Sequence, residues 1–318
     1  MPADAPSSTP LVVVLGPTAT GKSALGMRLA EELDGEIINA DALQVYRGLD
    51  IGTAKPSAQM RRAVAHHLID ILDPSERFSA GEFARRARGA IAEIGARGRT
   101  AIVVGGSGLY LRALLEGMSP IPASDPAVRA ELVRELEREG LPALYAELRG
   151  RDPETAARLV AGDRQRILRA LEVVRSSGRP LSSWIRGQPF GRQSLPAFRI
   201  GLTLPRSILY DRIAGRVRDM VERGWLDEVI ALLDQGAKPS FPAFQAIGYR
   251  QLVRHVEGKW SLEAALEDTI RATRRYAKRQ MTWFRKEMGI RWVPALRLAG
   301  AIPSLLQDLK SAGGTFAQ

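Results

Sequence analysis

Residues Leu11–Leu25 read LVVVLGPTATGKSAL, and this stretch decides the fold. Five apolar residues, three of them β-branched, stop at Gly16. Residues 16–23, GPTATGKS, have the spacing G-x-x-x-x-G-K-[ST], and a helical pattern follows from Ser23 to Leu33. A strand, a glycine-bounded loop and a helix in that order make a phosphate-binding loop. The glycines let backbone amides curl around an anion, and the helix start presents the positive end of its dipole. Lys22 brings a full charge, and the Ser23 hydroxyl can ligate Mg²⁺. Gly16, Pro17, Thr18, Ala19, Thr20, Gly21, Lys22 and Ser23 are therefore the expected diphosphate-binding residues, with the Thr18 and Thr20 hydroxyls as extra donors.

The motif names an anion and leaves the reaction open. A Ras-class GTPase needs an Asn-Lys-x-Asp base reader, but the chain's one Asn, Asn39, precedes Ala. A typical ATPase carries an acid at the end of an apolar strand to help hold magnesium. TAIVVGG (Thr100–Gly106) ends in glycines; GEIINAD (Gly35–Asp41) ends in Asp41. Asp41 can position Mg²⁺ or serve as a general base beside the phosphates. Residues 42–56, ALQVYRGLDIGTAKP, form a long mixed loop of the kind that carries binding function. A small-molecule kinase, or a protein that uses the loop for another diphosphate, remains.

Working outward, the short apolar runs alternate with helical patterns at Ser23–Leu33 and Ala80–Arg97, and AFRIGLTLP from Ala197 resembles a later strand. The alternation predicts an α/β fold: a P-loop NTPase-like core, with a parallel β-sheet flanked by helices. Between Pro120 and Pro196 the strand patterns vanish. Asp125-Pro126 caps a helix that runs to Gly140, Asp152-Pro153 repeats the device, and Asp163 starts a third helix that ends at SSGRP. The expected division is a first core part (1–119), a helical insertion domain (120–196) and a second core part (197–318). After Pro205 the chain reads helical to near its end, interrupted by DQGAKPSFPAF from Asp234.

The chain has no Cys, so disulfides, thiolate zinc sites and cysteine nucleophiles are excluded; that usage suits a reducing, cytoplasmic location. No stretch is apolar enough to span a bilayer, so no membrane partner is expected. MPADAPSSTP at the start reads as a frayed leader without a signal-peptide pattern. The net charge of +11 favours a polyanionic partner. Seven Lys or Arg and no acid fall between Arg271 and Lys286. Arg271, Arg274, Arg275 and Lys278 follow i, i+3, i+4, i+7 and are expected on one helical face. His66, His67 and His255 offer no third ligand at useful spacing, so AHHLID reads as structural.

GPTATGKS, NADALQVYRGLDIGTAKP, AHHLID and VGGSGLYLRALLEG, in that order, resemble the bacterial tRNA dimethylallyltransferases. GDRQRILRALEV (from Gly162), LYDRIAGRVRDMVERGWLDEV (from Leu209), AIGYRQL (from Ala246) and RRYAKRQMTWFRK (from Arg274) extend the likeness from about Leu11 to Trp292. The resemblance implies transfer of a dimethylallyl group from dimethylallyl diphosphate to N6 of adenosine 37 of a tRNA. The loop would then hold the leaving diphosphate with Mg²⁺ and consume no ATP, although such loops are commonly described as ATP-binding. It implies Asp41 as the base, with Lys22 and Arg216 as catalytic partners on the diphosphate. It also implies tRNA contacts, to the anticodon stem-loop, at Asp41, Ala42, Leu43, Gln44, Ser107, Arg129, Arg164, Gln165, Arg166, Ile167, Leu168, Arg274, Arg275, Lys278 and Arg279, and a monomer. Two positions depart from the pattern: Ala42 replaces the usual Ser, and Ser107 the usual Thr. An ATP-dependent kinase with residues 164–169 as a lid, and a non-enzymatic RNA-binding module, are the competing readings.

Overall fold

The computed structural model describes residues 11–187 and 194–315; the leader, residues 1–10, lies outside them. Two compact units result. One comprises residues up to Leu115 and from Leu195 onward, and the other Glu116–Ser194.

In the first unit, β1 (Leu11–Leu15) leads to α1 (Lys22–Glu32), β2 (Gly35–Asn39), α2 (Ala58–Ala63), β3 (His66–His67), α3 (Ala80–Ala96), β4 (Thr100–Gly105) and α4 (Gly108–Glu116). The sheet has the order β3-β2-β4-β1-β5-β6 once β5 (Ala197–Thr203) and β6 (Ile290–Pro294) join it, and every pairing is parallel. Every residue of β1, β2 and β4 is buried, as expected of parallel strands covered on both faces. On one face, α1 packs Leu25 and Leu29 against Val12, Val14, Ile37, Ile102 and Val104. β1 sits between β4 and β5, so its carboxyl end opens at the centre of the sheet, where ligands of open α/β sheets bind.

Two strands depart from the sequence reading. β3 has only two residues, too few for any period to register. β6 lies inside a region that reads as helical throughout. It completes the far edge by placing Trp292 and Ile290 against Gly201, where an added Cβ would meet the Trp292 ring at 2.5 Å.

The second unit is helical: α5 (Pro126–Arg151), α6 (Pro153–Arg158), α7 (Arg164–Ser177) and α8 (Leu181–Gly187). Asp125, Asp152 and Asp163 cap α5, α6 and α7 with their carboxylates, as their sequence positions predict. Gly140 interrupts α5 with φ 80°, and a further stretch of helix continues to Arg151. Leu132, Leu144, Leu148, Ala156, Ile167, Leu168 and Leu171 form this unit's own core.

The first unit then adds α9 (Arg206–Glu222), α10 (Trp225–Asp234), α11 (Tyr249–Val256), α12 (Leu262–Phe284) and α13 (Leu298–Thr315). A second cluster centred on Trp225, Phe244 and Tyr249 packs against the 42–56 loop.

Candidate active site

The loop after β1 folds as its residues require. Gly16 has φ 140°, and a Cβ there would lie 2.7 Å from the Leu202 carbonyl oxygen, so only glycine fits. Gly21 caps α1 in the left-handed region (φ 95°). Ala19 also adopts φ 63°, a conformation that costs a non-glycine residue energy and recurs at ligand-binding turns. The Lys22 ammonium donates to the Pro17 carbonyl at 2.7 Å. Thr20 corrects one expectation: it is buried, and its hydroxyl donates to the Pro17 carbonyl at 2.8 Å, so it braces the loop from within.

A cavity of about 320 Å³ opens over this loop, and Thr18, Lys22, Ser23, Asp41, Arg216 and Tyr276 line it among others. Sequence positions separated by some 260 residues thus meet within one unit. Burial pushes the Lys22 ammonium down to about 8, against the opposing pull of the Asp41 carboxylate; Arg216 lowers it further. The Arg216 guanidinium is itself pushed down by burial, while Asp41 favours its charge. Two cations and one carboxylate therefore share a poorly hydrated space, an arrangement suited to an anionic leaving group and a proton to be removed. Tyr276 is pushed up to about 12, by burial and then by the Asp41 charge.

Asp41 lies two residues beyond β2. Its Oδ1 accepts from the Leu43 amide at 2.9 Å, and its own amide donates to Asn39 Oδ1 at 3.1 Å. The Asn39 amide group donates to the Leu68 and Asp41 carbonyls. Gln44 also lines the cavity, with its amide group donating to the Thr53 and Ala54 carbonyls. Leu43, partly buried, packs against the Trp225–Tyr249 cluster. The whole loop is pinned by Glu228, which accepts from the amides of Asp50, Ile51 and Gly52 and from the Tyr249 hydroxyl at 2.6 Å.

Gln280 is the functional residue that sequence reasoning missed. Buried on α12, it accepts from the Thr18 amide at 2.9 Å through Oε1 and donates to the Gly106 carbonyl at 2.9 Å through Nε2. It ties the phosphate loop to the end of β4. A Cβ at Gly106 would meet Gln280 Nε2 at 2.3 Å, which accounts for the second glycine of VGG. Ser107 follows, and its side chain tempers the upward push on the Tyr276 phenol. Gln280 lies inside the RRYAKRQMTWFRK stretch, but partners this far away in sequence leave no local signal of the bonds it makes.

The basic helix differs from expectation at Arg274. Its guanidinium lies 5.1 Å over the Tyr210 ring and donates to the Tyr210 carbonyl, so it faces α9. Arg275, Lys278 and Arg279 are exposed and, with Arg112, Trp283 and Lys286, surround a concave basic surface. Arg112 lies 4.8 Å over the Trp283 ring and pairs with Glu287 at 2.5 Å. Arg271 pairs with Asp268 at 2.8 Å.

In the helical unit, Arg164, Gln165 and Arg166 occupy the exposed first turn of α7, and Arg129 lies near Glu172 at 3.8 Å. Ile167 and Leu168 require correction: they are 0% and 1% exposed in that unit's core, so their side chains are unavailable to a ligand and serve to place the turn before them. The histidines have other partners. His67 meets Glu36 at 2.6 Å, His66 Nδ1 the Val64 carbonyl at 2.8 Å, and His255 the Trp260 carbonyl at 3.0 Å.

The protein groups suit magnesium in a supporting position. Ser23 stands exposed on the first turn of α1, and Asp41 lines the same cavity. Such a sparse oxygen set matches an ion that draws its other ligands from phosphate and water. Among the described residues no helix is long and apolar enough to cross a membrane.

A family model described as IPP transferase matches residues 44–287. The chain belongs to the IPP transferase family. A tRNA dimethylallyltransferase of Syntrophobacter fumaroxidans is 48% identical over 94% of this chain and 87% of its own length. One from Halorhodospira halophila is 49% identical over 93% and 97%. The full-length tRNA isopentenylpyrophosphate transferase of Bacillus halodurans superposes with a TM-score of 0.70 at 38% identity, covering 97% of this chain and 99% of that one. A eukaryotic dimethylallyltransferase acting on tRNA gives 0.75 at 30% identity, covering 92% and 75%. The six-stranded α/β core described above is thus the core of a prenyltransferase family, and the resemblance read from the motifs is established at that level.

Proposed function

We propose that this chain transfers a dimethylallyl group from dimethylallyl diphosphate to the exocyclic N6 of adenosine 37, beside the anticodon of tRNA. The observation that carries the reading is one cavity holding Lys22, Ser23 and Arg216 together with Asp41. Positive groups and loop amides receive the diphosphate; a carboxylate receives a proton. An ATP-dependent kinase would use the same loop, but the family membership and the cations bracketing Asp41 favour prenyl transfer.

The exocyclic amine of adenine is a weak nucleophile, because its lone pair is delocalised into the ring. As N6 bonds to C1 of the allyl group, the C1–O bond to diphosphate breaks and the nitrogen becomes acidic. Asp41, held by the Leu43 amide, orients the amine and takes its proton. Lys22, Arg216 and the loop amides stabilise the charge growing on the departing diphosphate. Ser23 would hold Mg²⁺ against the diphosphate, where the ion neutralises charge when bound. Gln280 keeps the Thr18 turn in register with β4. Adenosine 37 lies in a loop, so swinging it out costs on the order of a few kcal/mol. The protein acts as a cytoplasmic monomer.

The test is incubation of the purified protein with unmodified tRNA, dimethylallyl diphosphate and Mg²⁺, followed by nucleoside mass analysis. The expected product is adenosine carrying one dimethylallyl group on N6. ATP turnover without prenyl transfer would establish the kinase instead.

The exposed basic surface on α12 contributes RNA-backbone contacts, together with the first turn of α7 in the helical unit. Reversing Arg275 and Lys278 to Glu should weaken tRNA binding at low salt. It should also flatten the plot of log affinity against log salt by about 0.7 to 0.9 for each phosphate that is no longer neutralised. Filter-binding titrations over a salt series check this, and an unaltered slope would remove α12 from the interface.

A further inference from the structure

One bond from N6 to Asp41 leaves an adenine able to pivot about that bond. A second contact, to the ring itself, is needed to aim N6 along the line of attack. The side chains around the cavity narrow the choice of partner. Gln44 gives its amide hydrogens to the Thr53 and Ala54 carbonyls, and the Thr53 hydroxyl donates to the Leu49 carbonyl. The Asn39 amide donates to the Leu68 and Asp41 carbonyls. Lys55, its side chain only 2% exposed, is held by Asp50, Asp70 and the Tyr46 carbonyl. His66 directs Nδ1 at the Val64 carbonyl, and burial favours its neutral form, so its other ring nitrogen is an acceptor. Gln280 is engaged by Thr18 and Gly106. Among the described residues that line the cavity outside the phosphate loop, the Tyr276 hydroxyl remains as the neutral side-chain donor.

The position of Tyr276 suits a contact to the base. It lies one turn before Gln280 on α12, on the same helical face. Gln280 is fixed to the Thr18 amide and the Gly106 carbonyl, so Tyr276 is carried to the carboxyl edge of the sheet, where Asp41 also stands. The Arg279 guanidinium lies 5.7 Å over its ring. The phenol is pushed up to about 12, so at neutral pH it keeps its proton in the field of the Asp41 carboxylate. Ser107 and Gln280 temper that push. Neighbours that do so present hydrogen to the phenol oxygen, and they leave its own proton for an acceptor. Tyr110 also feels the Asp41 charge, but its hydroxyl donates to the Phe78 carbonyl.

We infer that Tyr276 orients the acceptor base: its hydroxyl donates to a ring nitrogen beside N6 while Asp41 accepts from N6 itself. The inference rests on the prenyl-transfer reading of the same site. Adenine sets its amine next to a bare ring nitrogen on either edge, N1 or N7, and a carboxylate beside a phenol complements that pair. The two contacts together fix the base in its plane, with N6 turned toward the diphosphate end of the cavity.

The experiment uses three full-length tRNAs that differ only at position 37, which carries adenosine, 1-deazaadenosine or 7-deazaadenosine. Each is given to the wild type and to Tyr276→Phe. Affinity is measured with Mg²⁺ and the unreactive thiolo analogue of dimethylallyl diphosphate; single-turnover rate is measured with dimethylallyl diphosphate. On the adenosine tRNA, Tyr276→Phe should lower the ratio of rate to dissociation constant about tenfold, the effect of one lost hydrogen bond to a buried acceptor. On the deaza tRNA that lacks the accepting nitrogen the gap between the two proteins should close, and on the other it should persist. Each protein is compared with itself across substrates, so any general effect of the substitution on the fold cancels. No gap on adenosine, or the same gap on all three tRNAs in both measures, would overturn the contact; in the second case Tyr276 would act through Asp41 or the phosphate loop. A gap in affinity that closes on a deaza tRNA, with no prenylated product from the adenosine tRNA, would support the contact while overturning the transfer reaction.

Discussion

Asp41→Asn should lose about 10² to 10⁴ in single-turnover rate while tRNA affinity holds. Asparagine keeps an oxygen where Oδ1 accepts from the Leu43 amide at 2.9 Å, so the 42–56 loop retains its anchor. The loop's other ties, from Glu228 and Lys55, do not involve Asp41. Folding and RNA binding are therefore insulated from the change. What disappears is the capacity to accept a proton from N6 as the carbon–nitrogen bond forms. Removing the carboxylate also takes away the charge that favours the protonated forms of Lys22 and Arg216. Rapid-quench measurement at saturating dimethylallyl diphosphate, beside a tRNA binding isotherm, separates the two effects. Turnover at the wild-type rate would remove Asp41 from the chemistry; a parallel fall in tRNA binding would make it a recognition residue.

The contrast between Asp41 and Gln280 shows what the sequence could reveal. The phosphate loop and Asp41 each stand just after a buried strand, so a short local pattern gives both their conformation and their place at the sheet's carboxyl edge. The helix caps Asp125, Asp152 and Asp163 are equally local, and they locate the helical unit. Gln280 and Glu228 act through bonds to residues more than 170 positions away; each lies inside a stretch that carries the family resemblance, but neither stretch shows which distant residue it bonds. β6 has the same character: its partner β5 lies some ninety residues earlier, and a five-residue segment after a long helix carries no period of its own. Arg274 shows the limit of helical spacing as an argument. It sits at the border of the basic stripe, and only the position of Tyr210 on α9 decides that it turns inward. Ile167 and Leu168 fail for the opposite reason, since a stretch implied to touch RNA includes the apolar face that holds its own helix in place.

Lys22→Met should cost about 10² to 10³ in affinity for diphosphate and in turnover, yet raise the melting temperature. The folded-state ammonium is pushed down to about 8 from an ordinary 10.5, chiefly because burial strips its water. Between those values the unfolded chain binds more protons than the native one. Lys22's contribution to stability therefore improves as pH rises through that window and is least favourable below it. At pH 7 the native protein bears the full cost of the buried charge. Methionine fills similar volume without that charge, and relief of each kcal/mol raises the melting temperature of a chain this size by about 2–4 °C. In the wild type, diphosphate binding should weaken as pH climbs past about 8, because the unliganded lysine there has lost its proton and must recover one to meet the anion. That alkaline limb should vanish in Lys22→Met, whose weaker binding stays flat over the same range. Calorimetric melting at pH 7 and diphosphate titration from pH 7 to pH 10 check both halves. A lower melting temperature in the variant would mean that the bond from Lys22 to the Pro17 carbonyl outweighs the cost of burial. Survival of the alkaline limb would move its origin to another group in the cavity, with Arg216, itself pushed down by burial, next in line.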